Sequence, residues 1–454
     1  MSYTLLIVES PAKCGKIEKY LGPGYKVLGS YGHITHLSNL KQIEFENNYK
    51  PNFEIADAKK SQVSKLKQAI LKAKEVILAT DDDREGEAIA WHISQVFNLN
   101  PTTTKRIIFH EITERAIKNA LENPGVINMN LVYAQQGRQI LDLIVGFKIS
   151  PILWKHIVSN TKNSLSAGRC QTPALRLVYE NYKEIQESPG KLSFNTTGIF
   201  TSKNIIFTLN HNHNSHDEIK KFLELSKSHE HILSKEKERE TKKNQPSPFT
   251  TSGLQQAANN NMHISPKDTM ALAQKLYEGG YITYMRTDSK VYSEEFIEKG
   301  IEYITENYNK DYINQNMDLI TQSLNNEEKP ENKKKSKKKK EENNNAQEAH
   351  EAIRPTNIYI ESIPQDEDVF TARHRKLYKL IWNNTLESMM APAIYNQLVV
   401  KVSAPENYYY KYSAEENIFP GWKAVQGVEE DKNYSYLKNI KEGLIVPKKI
   451  ISKQ

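Results

Sequence analysis

The stretch EVILATDDDREGEAIAWHISQVF, residues 75–97, decides the architecture of the first part of the chain. Residues 75–80 are a short apolar run rich in β-formers and read as a buried strand. Residues 86–97 read as a helix. Between them lies an acidic turn, Asp81-Asp82-Asp83-Arg84-Glu85-Gly86-Glu87, at the carboxyl end of the strand. Outward from it, residues 4–10, TLLIVES, give a second buried strand that ends near Glu9. Val63, Leu66, Ile70 and Ala73 repeat at helical spacing. Residues 106–112 predict a strand and 113–121 a helix. Strands alternating with helices imply a parallel α/β sheet, here in a domain over residues 1–125.

Open parallel sheets bind ligands outside the carboxyl ends of their strands. Glu9, Asp81, Asp83 and Glu85 are therefore expected to converge. Crowded carboxylates repel one another and need a cation, and oxygen-only ligands favour a hard ion such as Mg2+. Lys13, just beyond the Glu9 strand, is a candidate phosphate contact.

The remaining chain changes character several times. Residues 126–183 are helical in pattern, and 184–247 bring β-like runs at 192–200 and 205–209. The charged run KEKERETKKNQPSP, 235–248, reads as a connector. Within 248–357, Ser265 is placed to cap a helix whose first residue is Pro266, and Gly279-Gly280 to end it. Residues 325–346 are rich in Lys, Glu and Asn and are expected to be a disordered insertion. Residues 358–425 include a return to β character from 390, and 426–454 close the chain.

Composition excludes some classes. The formal net charge of +7 equals the seven lysines of KKKSKKKK, 333–340, so bulk charge alone does not indicate nucleic acid. Mean hydropathy is −0.67, polar but compatible with globular cores. Two cysteines, Cys14 and Cys170, rule out a disulfide framework and a multi-cysteine zinc ribbon. No apolar run is long enough to cross a bilayer, and the N-terminus lacks the pattern of a secretory signal. An intracellular protein with no membrane partner is expected. The absence of a glycine-rich loop ending in Lys-Ser/Thr argues against a nucleotide cofactor.

Residues 279–289, GGYITYMRTDS, set Arg286 two places after Tyr284, on the same side if the segment is extended. A tyrosine hydroxyl titrates near ~10, so a nucleophilic tyrosine needs help from its surroundings. A guanidinium beside it would bind a phosphate and offset charge in the transition state. The segment alone leaves Tyr281 and Tyr284 both open, and equally a strand of packed aromatics, since the chain holds 24 tyrosines. Weaker signals accompany it: His33 on a loop after a strand, Arg169 after a glycine at a helix start, and His350 and Arg354 in EAHEAIRPT, 348–356. A phosphate is expected at the helix start beside Arg169.

These segments together resemble type IA DNA topoisomerases. The matching pieces are LLIVESPAK (5–13), YGHITHL (31–37), ATDDDREGEAIAWH (79–92), SPILWK (150–155), SAGRCQTPALRLV (166–178), PFTTSGLQQAA (248–258), YITYMRTDS (281–289) and HEAIRPT (350–356), in family order. The VESPAK start and Met285 after the tyrosine resemble the bacterial topoisomerase I branch. The resemblance implies a toprim domain within a toroidal, multidomain α/β plus α and β protein. It makes 126–183 a helical DNA-binding domain, 184–247 and 358–425 a β-rich gate domain, 248–357 the tyrosine domain, and 426–454 the start of a return into the helical domain.

The resemblance also implies an activity. Tyr284 would cut single-stranded DNA and stay joined to the 5′ phosphate. Glu9 would act as general acid/base, while Glu9, Asp81, Asp83 and Glu85 would hold Mg2+. Arg286, Lys13 and Arg169 would bind phosphates, His350 would assist, and His33 and Arg354 would contact DNA. The expected outcome is ATP-independent relaxation of negatively supercoiled DNA by a monomer. Three features depart from the family pattern. AQQGRQILDL, 134–143, has Gln139 and Leu143 where the family has arginines, which implies weaker DNA contacts. The lysine-rich insertion precedes His350, and the family's GIGRPST-like segment is not found before Gln454, so a shortened chain is expected. Two other readings compete: a toprim nuclease or primase, which leaves the tyrosine segment unexplained, and a DNA-binding remnant.

Overall fold

Leu5, Leu6, Ile7 and Val8 carry no polar side chain and are fully buried, so the strand they form, β1 (Tyr3–Val8), is covered on both faces. Such a strand belongs in a parallel sheet between helical layers. The computed structural model describes residues 3–157, 165–321, 351–365, 367 and 369–454. His350 and the 325–346 insertion lie outside the described residues. Around β1 come α1 (Cys14–Leu21), β2 (Tyr25–Gly29), α2 (Lys60–Lys72), β3 (Ala73–Ala79), α3 (Arg84–Val96), β4 (Lys105–Arg106) and α4 (Glu114–Glu122). The strands run parallel in the order β2–β1–β3–β4. The chain goes from β1 to β2 on one side and comes back to β3 on the other, which makes the β1/β3 boundary the switch point. Val8 is in register with Ala79, so Glu9 and Thr80-Asp81 leave the sheet side by side.

The strand expected over 106–112 keeps its ladder only at Lys105–Arg106. The backbone beyond it turns to a different partner: the His110 carbonyl accepts from the Tyr284 N–H at 2.8 Å. Two long helices follow, α5 (Met129–His156) and α6 (Gln171–Glu187).

Backbone contacts divide the chain into two compact units. The first comprises Met1–Tyr179, Ser247–Tyr303 and Asn316–Thr385, and the second Glu180–Pro246, Ile304–Gln315 and Leu386–Gln454. The second unit holds β5 (Phe194–Ile199), β6 (Ile206–His213), α7 (His216–Ser228), β7 (Ile232–Lys235), β8 (Arg239–Lys243), β9 (Ala393–Ser403), β10 (Tyr409–Phe419), β11 (Gly443–Leu444) and β12 (Lys449–Lys453). Its strands form one antiparallel sheet in the order β11–β7–β9–β10–β6–β5–β12, with β8 also beside β9. Phe207, Phe222, Val400 and Tyr410 are at its core. The run read as a connector therefore contains a strand. β8 is charged because its side chains are largely exposed, and long basic side chains suit a sheet margin.

In the first unit, α8 (Thr251–Met262) and α9 (Pro266–Glu278) precede the tyrosine segment. Ser265 caps α9 by accepting from the Asp268 N–H, Pro266 is its first residue, and Gly279 ends it. Gly280 follows at φ +69, where a Cβ would lie 2.6 Å from Lys16 Nζ and 2.7 Å from the Ile112 oxygen. Only glycine meets both demands. The chain then pairs with residues of HEAIRPT: Ile282 bridges Pro355, and the Thr283 N–H donates to the Arg354 carbonyl at 2.9 Å.

Candidate active site

The acidic turn is held from within. Asp83 is the N-cap of α3, its Oδ1 accepting from the Gly86 N–H at 2.7 Å. A Cβ on Gly86 would fall 2.2 Å from the Asp81 carbonyl oxygen, so only glycine lets the helix begin this close to the strand end. Arg106 lies beneath, 1% exposed, and donates to the Thr80 and Asp81 carbonyls at 2.9 Å each while pairing with Glu87. Sequence reasoning missed Arg106, because Glu87, Thr80 and Asp81 lie 19 to 26 residues away and no local pattern marks it.

The aspartate side chains then face the tyrosine segment. Lys13, fully buried, forms an ion pair with Asp81 Oδ1. Asp83 Oδ2 accepts from the Tyr284 hydroxyl at 2.5 Å and from Arg286 Nη1 at 2.7 Å. Burial, then Asp83 and Asp81, hold the Tyr284 hydroxyl well above the usual tyrosine range, so it keeps its proton until an acceptor takes it. Burial, then Asp81, push the Glu9 carboxyl up to about 7, against the pull of Lys13. Glu9 thus exchanges a proton near neutrality. Asp82 faces elsewhere, with Oδ2 2.6 Å from His110 Nε2, and His110 in turn anchors the Tyr284 backbone. Tyr281 donates to Glu367 at 2.6 Å and packs on Phe370 and Tyr378. Of the two tyrosines, Tyr284 is the one against the acidic turn.

The structure thus brings Glu9, Lys13, Asp81, Asp83, Tyr284 and Arg286 together, while Glu85, His33, Arg169 and Arg354 have other partners. Glu85 hydrogen-bonds to His33 Nε2 at 2.9 Å and Gln135 at 3.3 Å, and the His33 bond draws its carboxyl below the usual range. His33 and Glu85 line a cavity of about 680 Å³ with Arg138, Asp142, Trp154 and Arg169. Arg169 donates to Asp142 there at 2.9 Å. Arg354, expected against DNA, is instead 5% exposed and committed to Glu111 at 3.0 Å and Glu351 at 2.6 Å. Its guanidinium ties the HEAIRPT segment to the residues after β4. His350 lies outside the described residues.

The donors suit a hard cation, since every candidate ligand is a carboxylate. Among the described residues no group of three or more His, Cys, Asp or Glu is already disposed around one ion position. Lys13 and Arg286 supply the positive charge that Asp81 and Asp83 need. The raised Glu9 marks where a further cation would be favourable.

A parallel sheet thus carries an acidic turn at its switch point, facing a buried tyrosine and an arginine. The toprim domain family matches residues 4–112, and the DNA topoisomerase family matches residues 126–454. DNA topoisomerase 1 of Campylobacter jejuni is 38% identical over 469 residues, covering 97% of this chain and 63% of the relative. DNA topoisomerase 1 of Buchnera aphidicola is 36% identical over 474 residues, covering 96% of this chain and 52% of the relative. Full-length topoisomerase I from Thermotoga maritima superposes with a TM-score of 0.76 at 33% identity, over 99% of this chain and 71% of that one. The chain belongs to the bacterial type IA DNA topoisomerase family. It spans between about half and two thirds of the length of these curated relatives. Among the described residues no helix is long and apolar enough to cross a membrane.

Proposed function

We propose that the chain cuts one strand of DNA with Tyr284, remains joined to the 5′ phosphate, and reseals the strand after passage, relaxing negatively supercoiled DNA without a nucleotide cofactor. The observation that carries this reading is the Tyr284 hydroxyl, buried and donating at 2.5 Å to Asp83 beside Arg286. The Tyr284 oxygen attacks phosphorus as the bond to the 3′ oxygen breaks. Asp83 accepts the tyrosine proton, and Glu9, protonated in part at neutral pH, donates one to the departing 3′ oxygen. Resealing runs the same transfers in reverse. Arg286, half-exposed, binds the phosphate and offsets charge in the transition state. Lys13 keeps Asp81 compensated.

Bound Mg2+ would be held by Asp81 and Asp83, with Glu9 joining once it has given up its proton, and would neutralise the carboxylates that otherwise repel the phosphate. Glu85, whose Oε2 is engaged by His33 and Gln135, would join through its other oxygen. The adjoining cavity, lined by His33, Arg138 and Arg169, would take the single strand, the chain acting as a monomer in a DNA-containing compartment.

Tyr284→Phe keeps the ring and removes the attacking oxygen. Incubation with Mg2+ and a labelled single-stranded oligonucleotide, followed by a denaturing gel, should show an adduct with the unaltered chain and none with Tyr284→Phe, while oligonucleotide binding persists. An adduct surviving in the variant would move the nucleophile elsewhere. Cleavage without any adduct would favour a toprim nuclease.

A further inference from the structure

Tyr277 belongs to none of the segments that mark the site in the sequence, yet it touches three of its parts. It is fully buried on α9, just before the Gly279-Gly280 turn. Lys13 Nζ lies 4.7 Å over the centre of its ring. Its ring meets that of Tyr284 edge to face, with centroids 5.2 Å apart at 68°. Its hydroxyl stands 3.4 Å from both Asp81 Oδ1 and the Phe109 carbonyl oxygen, long for an O–H···O bond. The ring contacts are therefore the stronger link.

The Lys13 ammonium has no exposed surface, so bulk water does not reach it. Asp81 provides negative charge on one side. The ring face of Tyr277 offers its negative quadrupole as well. The same ring presses on the nucleophile, and aromatic pairs favour this edge-to-face geometry. We propose that Tyr277 is a positioning residue of the cleavage site: its aromatic face steadies the Lys13 ammonium against Asp81 while its contact with Tyr284 fixes the direction of the attacking hydroxyl. This rests on Tyr284 being the nucleophile.

A residue that merely filled space could be replaced by leucine as well as by phenylalanine. A positioning ring could be replaced only by phenylalanine. The test uses the full chain, with single-turnover adduct formation on saturating oligonucleotide in Mg2+ and metal-free binding of the same oligonucleotide by anisotropy. Tyr277→Phe should stay within about 3-fold of the unaltered rate, while Tyr277→Leu should fall by about 10- to 30-fold with the dissociation constant nearly unchanged. Tyr277→Met serves as a second apolar filler should the leucine variant fold poorly. In a Lys13→Met background the loss from Tyr277→Leu should shrink, because one of the two contacts is already gone. Equal rates for Tyr277→Phe and the apolar fillers would overturn the proposal, as would an undiminished loss without Lys13. An adduct that persists in Tyr284→Phe would instead overturn the nucleophile assignment, and this proposal with it.

Discussion

Glu9 sits where two aspartates crowd it and water is scarce, and its carboxyl is pushed up to about 7. The consequence for stability has a definite sign. Below about pH 4.5 Glu9 is protonated in both folded and unfolded chains and adds no pH dependence. Between about 4.5 and 7 the unfolded chain releases this proton while the folded chain retains it, so stability falls as pH rises. Above about 7 the loss levels off, at on the order of 3 kcal/mol. In metal-free protein, Glu9→Gln should therefore raise the melting temperature at pH 8 and change it little at pH 4. The same variant should slow adduct formation, because an amide cannot donate the proton that the 3′ oxygen needs. A Glu9→Gln chain no more stable at pH 8 than the unaltered one would show that the carboxyl does not carry the strain assigned to it.

The start of α3 is the element on which the site depends, because one turn caps a helix, ends a strand and aims Asp83 at Tyr284. Alanine inside a helix ordinarily gains about 1 kcal/mol over glycine. At Gly86 the added Cβ would lie 2.2 Å from the Asp81 oxygen, which is backbone and cannot swing aside. Gly86→Ala should thus lower the melting temperature and suppress adduct formation together. A stabilised Gly86→Ala chain would count against the tight turn. Much of this element is legible in the sequence, since continuous apolar strands and an Asp-rich turn are local patterns, and so the convergence of Glu9, Asp81 and Asp83 could be anticipated. Tyr277, Arg106 and the Asp82–His110 contact could not, because each gains its role from partners far along the chain. The burial of Arg354 was not legible either, because one of the two carboxylates that hold it, Glu111, lies far along the chain. β8 reads as a linker because an exposed strand and a solvated linker share a charged composition.

At the scale of the whole molecule, the chain passes between its two compact units five times, yet every residue gathered around Tyr284 lies in the first. Chemistry and sheet are thus separable in principle, even though neither unit is one continuous segment. Phe207 is fully buried in the core of the second unit. Truncating such a side chain costs about 3–5 kcal/mol through lost burial and the cavity left behind. If the units open independently, Phe207→Ala should speed amide exchange in β5, β6, β9 and β10 and leave β1 and β3 protected. Oligonucleotide capture by Tyr284 should then persist at temperatures where the second unit already exchanges freely, while plasmid relaxation, which demands passage and resealing as well as a cut, should fail first. Hydrogen exchange read by mass spectrometry and both activities would be followed on the same preparation. Loss of protection spread evenly over β1, β3 and the second sheet, with capture and relaxation declining together, would mean that the two units unfold as one.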